Sequence, residues 1–166
     1  MAAASTSDGA AAPVVIERVT VLDGELDASV RVTDPRWFRT SAVPGLAEEA
    51  LRVLPGLVRH RCDCGSAHGI AAELADTEVP HLLEHVALEL AVLAGSPRTL
   101  AGRTRWDFAR DGSGVFHVLL EYDDEAVALG ALHGGVRVVS ALLGVGEMPD
   151  VAEETRRLGD ARAAKR

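Results

Sequence analysis

The chain has 166 residues, 48% hydrophobic and 25% charged, with 17 Lys+Arg against 25 Asp+Glu for a formal charge of −8. That is one domain's worth of sequence, enough to bury roughly 70% of the surface its unfolded form exposes. The acidic balance without a basic stripe argues against nucleic acid, no apolar run approaches the ~20 residues of a membrane span, and residues 1–13 lack the basic segment of a secretory signal. The expected setting is therefore the cytoplasm, with Cys62 and Cys64 as free thiols.

Residues 1–13, rich in Ala, Ser, Thr and Gly, read as a flexible tail, and residues 14–146 as the folded domain. Within it, 14–22 and 28–33 are rich in Val, Ile and Thr around an Asp-Gly-Glu turn, the pattern of a β-hairpin. Residues 44–58 carry Leu46, Ala50, Leu51, Leu54 and Val58 at helical spacing, interrupted at Pro55-Gly56. A loop over 61–69 holds the cysteines. Residues 80–94 form the strongest helix pattern, with Pro80 in the first turn and Gly95 as C-cap. Segments 98–106 and 115–122 read as strands flanking an Asp-Gly-Ser-Gly turn. A long apolar helix then starts at Asp123-Asp124, where the helix dipole favours acids, and runs to about Leu143. Residues 147–166, with five acids and five cations, read as a charged tail, frayed or weakly helical. The order β-β-α-α-β-β-α predicts an α+β fold: a single mixed or antiparallel sheet of about four strands, with helices mainly on one face.

The chemistry-bearing motif is His81-Leu82-Leu83-Glu84-His85, in the first turns of that strongest helix. His81 and His85 project from one helix face a turn apart, a spacing at which two imidazoles hold one Zn²⁺. Glu84 lies beside them as a general base, the H-x-x-E-H order of inverzincins. The same residues also fit a solvated helix start. A catalytic zinc needs a third protein ligand. His117 and His133 are candidates, but Glu121 and Glu125, at the junction of the last strand and the last helix, are better placed. Each also has a plainer role, as a strand-end carboxylate in water and a first-turn acid respectively. Glu89, four residues past His85, reads as an outer acid behind the site or on the surface. Cys62 and Cys64 with His60 and His68 could form a Cys₂His₂ cluster, or simply a loop with small buried thiols. Arg103 and Arg105 share one strand face and could clamp a substrate carboxylate or lie exposed.

PGLAE (44–48), LPGL (54–57), HRC (60–62), HLLEHVALEL (81–90), LAG (93–95), GRTR (102–105) and EY (121–122) recur in one order that resembles the N-terminal domain of cyanophycin synthetase, the enzyme that polymerises aspartate and arginine. The resemblance spans roughly residues 14–143. That family makes polymer on later ATP-grasp and Mur-ligase-like domains, which have no counterpart within these 166 residues. Its N-terminal domain helps hold the polymer, and in some members it resembles a metallopeptidase that cuts polymer into primers. The resemblance thus implies zinc on His81 and His85, Glu84 as base, and a third carboxylate from the Glu121-Tyr122 segment or just beyond. Pro80, where the family has Gly, and His68, another family Gly, depart from the pattern and reshape the rim of the cleft. The expected function is a zinc-dependent peptidase or amidase acting on an Asp/Arg-containing polymer, alone or as a homo-oligomer. The alternative is a non-catalytic module that binds the polymer or a synthetase.

Overall fold

The computed structural model describes residues 11–62 and 69–165. Four strands, β1 (Val14–Leu22), β2 (Glu25–Val32), β3 (Gly102–Arg105) and β4 (Val115–Glu121), form one sheet in the order β1-β2-β4-β3. Every neighbouring pair is antiparallel. Among the described residues six α-helices accompany them: α1 (Leu46–Val53), α2 (Ile70–Glu73), α3 (Val79–Leu93), α4 (Phe108–Asp111), α5 (Glu125–Leu142) and α6 (Val151–Ala163). The α+β architecture expected from the sequence is the one observed.

Strand alternation divides the sheet into two chemically different faces. Leu26, Ala28 and Val30 of β2 and Val118 and Leu120 of β4 point inward and are buried. Asp27, Arg103, Arg105 and His117 sit at the opposite parity, and on that outer face Asp27 pairs with both His117 and Arg105. The inner face is covered by α3, which contacts β2, β3 and β4, with α5 packed alongside it. Twelve of the fifteen α3 residues are buried, so this helix is the centre of the core and has almost no solvated side.

The close approach of α5 to α3 depends on Gly135, where an added Cβ would lie 3.0 Å from Leu83 Cδ1 and 3.6 Å from Ala87 Cα. Asp124 caps α5 by accepting from Val127 N at 3.0 Å. By length and composition alone α5 is apolar enough to cross a bilayer, contrary to the expectation that no segment reaches that size. Its apolar residues serve the core, however, since Val127, Ala131, Leu132, Val138 and Val139 are all buried.

Local corrections have local causes. The strand expected over 98–106 shrinks to Gly102–Arg105, because residues after Pro97 turn inward and Arg98 reaches Glu89. The helix pattern of 44–58 does break where Pro55 removes a donor, continuing as a 3₁₀ turn, Pro55–Arg59. The segment after 147 is less frayed than its charge suggests. α6 is capped by Asp150 and buries Thr155, and Leu158 packs on the core beside Gly130. Arg162 fastens the far end of α6 to Asp123 and Ser96.

Leu83 is fully buried between α3 and α5. Leu83→Ala is expected to cost about 2–5 kcal/mol, the range for core leucine truncations, read as a lower urea midpoint at unchanged slope.

Candidate metal centre

The first half of α3 lies under β3 and the segment 54–62, and these elements bring the site together. His81 Nε2 and His85 Nε2 face each other at 3.1 Å, and Cys62 Sγ lies 3.2 Å from His81 Nε2. The three donor atoms all lie within 4.8 Å of one another, a group able to hold a metal ion. In a tetrahedral zinc site, metal–nitrogen bonds of about 2.0–2.1 Å put neighbouring ligand atoms about 3.3 Å apart. The two imidazoles are therefore spaced as adjacent corners of such a site.

The remaining ring nitrogens are also engaged. His81 Nδ1 is 2.8 Å from Thr77 Oγ1, and His85 Nδ1 is 3.2 Å from His60 Nδ1. His60 Nε2 continues to Glu89 Oε2 at 2.6 Å, and Arg98 grips the same carboxylate at 2.8 and 3.3 Å. Burial would raise the Glu89 pKa, but hydrogen bonds from His60 and Arg98 outweigh it and hold the carboxyl below its ordinary range. Gly56 makes this approach feasible, because a Cβ there would fall 1.7 Å from Glu89 Oε1.

Burial lowers the His81 pKa against the opposing pull of Glu73 and Glu78. Burial, reinforced by the neighbouring His81 and His60, depresses His85 to about 3. Both rings thus favour the neutral form, which is the one that ligates metals.

Glu84 is only 4% exposed. Thr104 Oγ1 donates to its Oε2 at 2.7 Å, and its Oε1 is 3.7 Å from His85 Nε2. Gly102 leaves room for this carboxylate, since a Cβ there would lie 2.7–3.0 Å from it. Glu84 and His85 line a cavity of about 330 Å³ whose wall also includes Cys62, Arg59, Arg61 and Arg98.

Other sequence candidates lie elsewhere. Glu121 is at the correct end of the sheet but at outward parity, exposed, and accepts from Ala101 N at 2.9 Å. Glu125 is exposed in the first turn of α5. Neither belongs to the donor group. His117 is bound to Asp27 at 2.8 Å on the outer face, and His133 is exposed on α5. Arg103 and Arg105 also leave the site: they sit on the outer face, paired with Glu25 at 2.9 Å and Asp27 at 3.6 Å. Alternation is the reason, since Thr104 between them faces Glu84.

Cys64 and His68 lie outside the described residues, so of the suggested Cys₂His₂ cluster only Cys62 and His60 are placed. Cys62 is disulfide-bonded, not the free thiol expected, so its sulfur becomes a thiolate donor only upon reduction. The role of His60 behind His85 had no sequence signal beyond its place after a Pro-Gly turn. Glu89 had one, its helical spacing from His85.

An α+β domain with a part-buried His/Cys donor group and an adjoining buried carboxylate is the class that fold and site define. The chain belongs to the cyanophycin synthase-like N-terminal domain family, which it matches over residues 28–144. It is 36% identical over 126 residues to cyanophycin synthetase of Synechocystis sp., covering 72% of this chain and 14% of that protein. The corresponding synthetase of Geminocystis herdmanii is 32% identical over 127 residues, 75% of this chain and 14% of the relative. That of Crocosphaera subtropica is 33% identical over 111 residues, 66% and 12%. The chain thus spans only a small part of the curated relatives it matches.

The depressed His85 pKa carries a pH dependence. In the fold the ring stays neutral to about pH 3, whereas exposed histidine protonates near 6.5. Between these values the unfolded chain binds the extra proton, so stability of the metal-free protein is full above about 6.5 and declines as pH falls toward 3. Urea midpoints measured from pH 7 to 4 are expected to fall, with a shallower slope in His85→Gln.

Proposed function

We propose that this domain is a zinc-dependent hydrolase of peptide or amide bonds, with His81 and His85 as metal ligands and Glu84 as general base, in the manner of an inverzincin. The observation that carries the reading is the convergence of the two Nε2 atoms at 3.1 Å beside a buried carboxylate 3.7 Å from one of them. Cys62 Sγ is the nearest third donor among the described residues, in place of Glu121 or Glu125. When bound, zinc supplies a Lewis acid that polarises a carbonyl and acidifies water.

The chain's own residues supply the rest. Glu84, oriented by Thr104, accepts a proton at its carboxylate from the attacking water and returns it to the leaving amine. Arg59 and Arg61, on the cavity wall, provide cations for substrate carboxylates, the role expected of Arg103 and Arg105. An acidic peptide suits that rim. The relatives are named for cyanophycin synthesis, which supports an Asp/Arg polymer as the substrate to test first, in a cytoplasmic setting.

Untagged wild-type protein under reducing conditions is expected to hold about one zinc per chain and to release short products from Asp/Arg polymer. His81→Ala should lose both metal and turnover. Glu84→Gln should keep the metal and lose turnover at least 100-fold, the lower scale of a general base. Full activity in Glu84→Gln would sink the base assignment. Polymer binding that survives a chelator, with no hydrolysis in the wild type, would instead make this a binding module.

A further inference from the structure

The group least explained by ligation is the one behind His85. Glu89 has a side chain 2% exposed and His60 one 7% exposed, and they meet at 2.6 Å. Arg98 closes the far side of Glu89, and Gly56 exists where any Cβ would displace that carboxylate. A core helix could have carried leucine at 89 without these three accommodations.

We propose that Arg98, Glu89 and His60 act as a positioning relay that selects the Nδ1–H tautomer of His85 and so presents its Nε2 lone pair to the donor group. Ionised Glu89 can only accept hydrogen bonds, so His60 Nε2 carries the hydrogen between them. Arg98 supplies Glu89 with a formal positive charge, and an imidazole with its single hydrogen on Nε2 keeps a lone pair on Nδ1. That lone pair, 3.2 Å from His85 Nδ1, requires a hydrogen on His85 Nδ1. Nε2 is then bare, aimed at His81 Nε2 and the metal position. Thr77 Oγ1 engages His81 Nδ1 from the other side at 2.8 Å. Carboxylate–histidine pairs behind a metal ligand fix its ring and raise its basicity. Here the pair is lengthened by one further imidazole, so His60 and Glu89 act through His85 as positioning residues.

The metal-affinity consequence rests on the zinc reading above, whereas the tautomer does not. Long-range imidazole ¹H–¹⁵N correlations on metal-free, ¹⁵N-labelled protein are expected to show His85 as Nδ1–H, with His60→Leu giving a mixture or the Nε2–H form. His60→Gln, whose amide oxygen keeps an acceptor, should restore Nδ1–H. Zinc affinity, read by competition with a chromophoric chelator, should weaken about 10–100-fold in His60→Leu and stay near wild type in His60→Gln. An Nε2–H ring in the wild type would overturn the proposal, and so would a His60→Leu protein with unchanged tautomer and affinity. If His60→Leu does not fold, the wild-type tautomer decides alone. A wild type that shows Nδ1–H but takes up no zinc would leave the relay standing and bring down the metal reading.

Discussion

The rest of the structure depends on burying α3 on nearly every side while three of its buried residues are ionisable. Glu84, His85 and Glu89 are each no more than 4% exposed. A carboxylate or imidazole removed from water to that extent costs several kcal/mol unless protein groups replace the water. Those groups come from segments far apart in the chain. Thr104 comes from β3, Arg98 from the turn after α3, and His60 from the end of the 3₁₀ turn after α1. The glycines at 56 and 102 follow from the same requirement, since each stands where a side chain would collide with one of the carboxylates.

This arrangement separates two electrostatic regions that the sequence interleaves. The outer face of the sheet carries its own network, in which His117 bridges Asp27 and Asp111 while Arg103 and Arg105 answer Glu25 and Asp27. The two arginines are exposed, and their pairs stabilise little individually. Under the inner face, the histidines and glutamates of α3 are linked ring to ring and ring to carboxylate in a water-poor setting, where each hydrogen bond constrains the next. The cavity beside Glu84 opens between these buried groups and the arginines of its wall, so the carboxylate, His85 and a set of cations share one lining.

Much of the fold was legible from residue patterns. The hairpin followed from β-branched runs around a turn, α3 from its proline and apolar spacing, the break at Pro55 from a missing donor, and α5 from its acidic start. The pairing of His81 with His85, and the adjacency of Glu84, were equally legible, because one turn of helix sets those positions without help from the rest of the molecule. Thirty-odd per cent identity to synthetase N-terminal regions agrees with the order of segments from PGLAE to EY.

What the sequence could not decide was every relation that crosses from one element to another. Glu121 stood at the correct end of the correct strand, yet a one-residue difference in parity turned it to the outer face, and Arg103 and Arg105 went with it. His60 and Cys62 are roughly twenty or more positions from the histidines they adjoin, and no local period connects a 3₁₀ turn to a helix face. Local geometry is determined by backbone dihedrals, which nearest neighbours specify. The company a buried polar group keeps is determined by which surfaces the hydrophobic core presses together. The chain by itself therefore determined the two-histidine pair and the carboxylate beside it, and the tertiary structure alone decided what stands in front of that pair and what holds it from behind.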